Sequence, residues 1–214
     1  MLFVGRIYLF WKMNRVFLVL LGFVIILGSC QQVLIQAAGI HKPSLIDNEK
    51  IVKLGEGFQL VNENIYLIDT LSYKYYVESI KKSSIKDYQD LMQPLQIKFF
   101  KGNDSLVFQL VNCSVGGFPN LKWNRLRSFD VYPPSMRYFK VVNYQKSLVE
   151  DTLFYHPLRL GQSDQVPDAT IVVFWSRMMG RQSKRIIKQA LNYKKRFPQY
   201  RIRLMFVNND NLYI

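Results

Sequence analysis

Cysteine and histidine, on which many catalytic and metal sites depend, are scarce in this sequence of 214 residues, which has two of each. Two cysteines exclude a small fold held together by several disulfides. His41 and His156 are far apart in sequence and no cluster of cysteines or acids accompanies either one, so no metal site and no cofactor is expected. The hydrophobic content of 49% excludes a disordered chain.

Acidic residues are also scarce, and their distribution along the chain is uneven. The sequence has 15 Asp and Glu against 29 Lys and Arg, for a formal charge of +14. Residues 1–30 have three basic residues and no acid, and residues 31–168 are close to neutral. After residue 168 there are ten basic residues and one acid, Asp210. An anionic partner is therefore expected for a short region rather than for the whole protein.

A long apolar run is missing as well, because the run Val16–Leu27 is shorter than the ~20 apolar residues that a membrane-spanning helix usually needs. The basic residue Arg15 precedes it and small residues follow it, as in a secretory signal peptide. Residues 1–29 are therefore predicted to be a signal. Translation is expected to start at Met13, since a complete signal follows that residue.

The end of this run, Leu27-Gly28-Ser29-Cys30, resembles the lipobox of bacterial lipoproteins. The resemblance implies cleavage before Cys30 and attachment of diacylglycerol and a further acyl chain to that cysteine. Two or more acyl chains anchor a protein firmly. The protein is then expected on a membrane of the bacterial cell envelope, on the exported side and away from nucleic acid. The alternative is an uncleaved signal anchor.

If Cys30 carries lipid, Cys113 remains as a free thiol without a partner for an intramolecular disulfide. Cys113 comes just after the apolar run 106–111, so burial is expected. The alternative is a single reactive thiol that acts in redox chemistry of the envelope.

The mature chain is predicted to have an α+β fold in three parts. Residues 30–51 have little periodicity and are expected to be a tether. Residues 52–168 are expected to be a β-rich region. Its strands are predicted at 65–68, at 129–132, at 137–144, and in a hairpin of 95–100 and 105–111 joined by Lys101–Asp104.

Residues 169–214 are predicted to form a βαβ unit. Ala169–Trp175 is a continuous apolar run, which is typical of a strand buried on both faces. Arg181–Phe197 has helical periodicity, and Pro198 ends that helix. Tyr200–Val207 is predicted to be the second strand.

The predicted helix has one strongly basic face. At 100° per residue, six of its seven basic side chains share an arc of about 120° opposite the apolar residues, and only Lys194 lies on the apolar side. These six residues are Arg181, Lys184, Arg185, Lys188, Lys195 and Arg196. We expect them to contact a protein of the envelope or an anionic surface such as lipid head groups. The alternative is a solvated face that only keeps the protein soluble.

The segments Val172–Ser176 and Leu204–Asp210, together with the basic helix between them, resemble the central βαβ unit of membrane-anchored TlpA-type thioredoxin-like proteins. That family has a Cys-x-x-Cys pair at the start of the helix, where this sequence has Met179 and Gln182. Neither side chain forms a thiolate, so disulfide exchange is excluded at these positions. The adjacent Met178 and Met179 could bind Cu(I), but packing is expected instead.

In the family, a cis-proline loop, a hairpin and a helix follow this unit, and they have no counterpart after Asp210. Two alternatives remain open: the preceding strands complete the sheet, or the gene is a truncated relative with an exposed sheet edge. The expected function is a redox-inactive, membrane-tethered binding or scaffold protein. An envelope thiol-disulfide oxidoreductase that uses Cys113 is the alternative.

Overall fold

The computed structural model describes residues 39–82, 88–102, 105–117, 121–135, 147–161 and 165–214. The predicted signal, Cys30 and the strand predicted at 137–144 lie outside these residues. Residues 38–214 belong to one compact unit. None of the helices in the described ranges is long and apolar enough to cross a membrane.

The strands are β1 (Asn64–Ile68), β2 (Gln96–Lys101), β3 (Ser105–Val111), β4 (Tyr155–Arg159), β5 (Ala169–Trp175) and β6 (Ile202–Asn208). The helices are α1 (Asn48–Gly57), α2 (Thr70–Lys82), α3 (Tyr88–Leu91), α4 (Asn112–Val115), α5 (Leu148–Thr152) and α6 (Gly180–Arg196). Short 3₁₀ turns are present at Ser128–Asp130, Arg177–Met179 and Asp210–Tyr213.

All six strands belong to one mixed sheet in the order β3-β2-β5-β6-β1-β4. The neighbours β5, β6 and β1 are parallel, and the remaining pairs are antiparallel. The mixed sheet and its helices confirm the predicted α+β class.

Helices cover both faces of this sheet. Successive side chains of its central strands point to opposite faces, so each strand contributes to two core clusters. Ile171 and Val173 of β5 belong to the same core cluster as buried residues of α1 and α6. Val172 and Phe174 belong to a second cluster with buried residues of α2. β5 is buried along its whole length, as its unbroken apolar sequence predicts.

The structure confirms the predicted hairpin, which is β2 and β3, and the predicted strand-helix-strand unit, which is β5, α6 and β6. The preceding strands complete the sheet, because β2 pairs with β5 and β1 pairs with β6. The boundary predicted between residues 168 and 169 therefore falls within a single sheet. The region 52–168 is also richer in helix than predicted, and the strand predicted at 129–132 is partly a 3₁₀ turn.

The described part of the segment predicted as a tether, residues 39–51, is folded against the body, which corrects that prediction. Helix α1 begins inside it, and the carboxylate of Asp47 caps α1 by accepting a hydrogen bond from the Lys50 N–H at 2.8 Å. Ile46 and Ile51 are buried in the main core cluster. The helix is ten residues long, too short for its periodicity to stand out in the sequence.

An ion pair joins the segment before β5 to the start of β6. Arg201 Nη2 lies 2.8 Å from Asp168 Oδ1, and the Arg201 N–H also donates to this carboxylate. These hydrogen bonds lower the pKa of Asp168 to about 2. Because the folded protein holds the charged form, the stability from this pair is complete above the ordinary pKa of about 4 and disappears as the pH falls through about 2.

We expect Arg201→Ala to raise the pKa of Asp168 towards its ordinary value. Carboxyl-carbon NMR titration of both proteins measures this change, with Asp69 as an internal reference whose hydrogen bonds do not involve Arg201. An unchanged midpoint for Asp168 in the variant would show that the ion pair does not form in solution.

Candidate functional site

The basic face predicted for residues 181–197 is present on helix α6. The side chains of Ile186, Ile187, Ala190 and Tyr193 are buried against the sheet. The six predicted contact residues are all exposed: Arg181, Lys184, Arg185, Lys188, Lys195 and Arg196. The helical periodicity therefore gave the correct exposed face.

A groove of about 420 Å³ lies between this face and the end of α1. Gly57, Phe58 and Gln59 line it on the α1 side. From α6 it is lined by three lysines, two apolar residues and an amide: Lys184, Lys188, Lys195, Ile187, Leu191 and Asn192. Lys184 Nζ lies 5.7 Å from the centroid of the Phe58 ring, a cation–π distance.

The lysines that line this groove have no acidic partner in the described part of the chain. Among the described residues, no carboxylate forms an ion pair with Lys184, Lys188 or Lys195. Arg196 differs from them, because its Nη1 lies 2.7 Å from Asp130 Oδ1. The three lysines thus form the part of the basic face that is best suited to an external anion.

A second cavity, of about 440 Å³, lies at the C-terminal end of α6 and is also lined by basic side chains. Two of the three basic side chains that line it are paired within the protein: Lys194 Nζ lies 2.9 Å from Glu63 Oε1, and Arg201 pairs with Asp168. Arg203 is the third. An anion that entered this cavity would have to compete with two carboxylates. Charge therefore favours the groove over this cavity as a binding site.

The two positions at which the resembled family has cysteines are buried. Met179 is 8% exposed and immediately precedes α6. Gln182 is fully buried, and its Oε1 accepts a hydrogen bond from the Leu121 N–H at 3.0 Å. Both side chains are part of the protein interior rather than of an open site.

Residues 39–46, which we call the cover segment, pack against the turn between β5 and α6. The His41 N–H donates to the Met178 carbonyl at 2.8 Å, and Ile46 exchanges two hydrogen bonds with the Asn211 side chain. A Cβ atom on Gly180, whose φ is +39°, would lie 2.0 Å from the carbonyl oxygen of Gly39. The close approach of the cover segment therefore requires glycine at position 180.

Asp210 anchors the same turn from the end of β6. Its carboxylate accepts hydrogen bonds from Ser176 Oγ at 2.7 Å, from the Arg177 N–H at 2.8 Å and from Asn208 Nδ2 at 2.9 Å. The Met178 N–H is a fourth donor, at 3.1 Å. Such a saturated, buried carboxylate is structural. Sequence reasoning missed it, although a lone acid directly after a buried strand was a signal for it.

Cys113 is exposed, which corrects the prediction that it is buried. The apolar pattern ends with β3 at Val111, and Cys113 lies in the short helix α4, which turns it towards solvent. Its Sγ lies 3.8 Å from Asp90 Oδ1. Partial burial and the negative charge of Asp90 raise the pKa of the thiol, so the thiolate that would react is disfavoured.

We expect Cys113 to react with iodoacetamide at pH 7.5 more slowly than a cysteine in an unstructured peptide, despite its exposure. Asp90→Asn should speed the reaction, because it removes the negative charge that raises the thiol pKa. Mass spectrometry of the alkylated protein over time gives both rates. Reaction faster than the peptide control would indicate an activated thiol and contradict this account.

Across the described part of the chain, no three His, Cys, Asp or Glu side chains come together in a way that could hold a metal ion. Comparison with protein-family models, with curated proteins and with solved structures gives no match to this chain.

Proposed function

We propose that this protein is a lipid-anchored component of the bacterial cell envelope that acts by binding rather than by redox chemistry. Its binding surface is the basic face of α6. The main support for this proposal is that α6 has buried side chains at its start and exposes lysines along the rest of its length. Met179 and Gln182 at its start are buried, and Gln182 accepts a hydrogen bond from the Leu121 backbone, whereas Lys184, Lys188 and Lys195 line an exposed groove.

We further propose that the sheet is thioredoxin-like. Two parallel strands, β5 and β6, are joined by the long helix α6, and an antiparallel hairpin, β2–β3, lies beside β5. The resembled family has its hairpin after the βαβ unit, whereas here the hairpin precedes it. The matching arrangement of neighbouring strands supports a relative of the family that lacks the cysteine pair and has its hairpin earlier in the chain.

The lipid anchor can be tested by cell fractionation of a bacterium that expresses the full chain. We expect the wild-type protein in the membrane fraction, resistant to extraction with high salt, because acyl chains do not depend on charge. Cys30→Ser should remove this resistance. Cys113→Ser, which changes the other cysteine, is the matched control and should stay with the membrane. Equal behaviour of both variants would contradict an anchor at Cys30.

The absence of redox activity is tested with purified protein. Insulin reduction in the presence of dithiothreitol should proceed at the background rate, because a raised thiol pKa at Cys113 disfavours exchange. Activity above background that Cys113→Ser abolishes would support the alternative, an envelope oxidoreductase that uses a single thiol.

A further inference from the structure

Four basic residues of α6 form a straight stripe along the helix. At 100° per residue, Arg181, Lys184, Lys188 and Lys195 fall within about 60° of one another. From the first to the last, the stripe is about 21 Å long, at ~1.5 Å per residue. All four side chains are exposed. A row of this length and straightness presents its charges to a flat surface at the same time, whereas a compact ligand would contact only one or two turns.

The proposed lipid attachment site lies a few residues before a segment that packs against this stripe. Gly39 in the cover segment packs against Arg181 at the beginning of the stripe, where an added Cβ would lie 3.2 Å from Arg181 Cγ. Position 39 comes nine residues after position 30, so an extended chain covers at most ~30 Å between them. An anchor at Cys30 would thus keep the beginning of the stripe within reach of the bilayer surface.

The cover segment also exposes side chains that suit a membrane surface. Lys42 is exposed and adds a positive charge, and Leu45 is 75% exposed although it is a large apolar residue. Basic residues attract anionic head groups, and an apolar side chain beside them inserts at the head-group boundary.

We infer that the stripe (Arg181, Lys184, Lys188 and Lys195) binds the anionic phospholipids of the membrane that carries the anchor, so that α6 lies along the bilayer surface. This inference rests on the proposed lipid anchor and names the partner of the basic face. Charge complementarity supports a lipid surface, since no described carboxylate forms an ion pair with Lys184, Lys188 or Lys195.

The test is vesicle co-sedimentation of residues 30–214 with Cys30→Ser, which keeps every described residue and removes the lipid. The vesicles are either phosphatidylcholine alone or phosphatidylcholine with 30% phosphatidylglycerol. We expect binding to the anionic vesicles only, and weaker binding in 0.3 M than in 0.05 M salt because the charges are screened.

The stripe variant changes Arg181, Lys184 and Lys188 to Glu. At about 1 kcal/mol for each basic residue near the surface, it should bind the anionic vesicles about 100-fold more weakly. The control variant changes Lys74, Lys81 and Lys82 of α2 to Glu, which gives the same net charge on the opposite face of the sheet. The control variant should bind the anionic vesicles less than about tenfold more weakly than the wild type. Circular dichroism melting curves show whether both variants are folded.

Equal losses in the two variants would mean that only net charge matters and would overturn the inference. Equal binding to neutral vesicles, or a stripe variant that binds like the wild type, would overturn it as well. A stripe variant that keeps its vesicle binding but loses crosslinks to one envelope protein in cells would assign the face to a protein partner instead. Because the assay contains no lipid anchor, its result is independent of the fractionation result with Cys30→Ser.

Discussion

Lys98→Met is expected to lower the free energy of unfolding by about 3–5 kcal/mol, because it removes one partner of a buried ion pair. Lys98 lies in β2, and its Nζ is 2.7 Å from Asp151 Oδ1 of α5. The two side chains are 3% and 1% exposed. Water cannot replace the lost ammonium group at such a site. Urea unfolding at pH 7 measures the loss.

Two aromatic side chains, Tyr155 and Phe174, also contact this ion pair. The Tyr155 hydroxyl donates a hydrogen bond to Asp151 Oδ2, and Lys98 Nζ lies 4.7 Å from the centroid of the Phe174 ring. Burial and the charge of Asp151 raise the pKa of Tyr155, so this hydroxyl stays protonated and keeps donating.

The matched control is the double variant Lys98→Met with Asp151→Asn. It removes both charges and keeps an oxygen that can accept from Tyr155, so it should recover at least about half of the loss. A single variant that costs less than about 1 kcal/mol would mean that the pair is hydrated in solution, as exposed pairs are.

Asp210→Ala is expected to cost about 3–5 kcal/mol, because buried donors left without acceptors cost about 1–3 kcal/mol each and part of that is relieved by local rearrangement. The donors are Ser176 Oγ, Asn208 Nδ2 and the backbone N–H groups of Arg177 and Met178. The last two lie in the turn against which the cover segment packs.

The destabilisation by Asp210→Ala is expected to be local to this turn. Hydrogen exchange at Arg177, Met178 and His41 should become faster in Asp210→Ala before the protein unfolds as a whole. Asp210→Asn keeps one acceptor oxygen and should give an intermediate loss. Exchange that is unchanged at these three residues would show that Asp210 does not hold the turn together.

The elements that could be predicted from the sequence are those with an unbroken pattern. The apolar run of β5, the helical periodicity of α6 and the turn between β2 and β3 each contain their own signal within a few residues. Their pairing into one sheet could not be predicted, because β2 and β5 are separated by more than 60 residues and register depends on tertiary contacts.

Short elements were missed for a related reason. Helix α1 and strand β4 have ten and five residues, too few for periodicity to distinguish them from loop. The position of Cys113 was predicted incorrectly because the apolar run before it ends at Val111, and the chain then turns outward.

For the candidate site, the basic residues could be predicted from the sequence, but their contacts with other segments could not. The face of α6 follows from its 100° periodicity. The pairing of Arg196 with Asp130 and the groove beside Phe58 depend on segments that are distant in sequence. The contact of the cover segment with the turn after β5 is likewise long-range and has no motif of its own.

The identity of the N-terminal residue tests the central claim most directly, because an anchored binding protein requires a lipid at Cys30. The measurement is mass spectrometry of the protein extracted from bacterial membranes and digested with a protease. The account predicts an N-terminal peptide that begins at Cys30 and carries diacylglycerol and a further acyl chain. An unmodified peptide that spans Leu27 to Gln32, with no lipidated form, would contradict it.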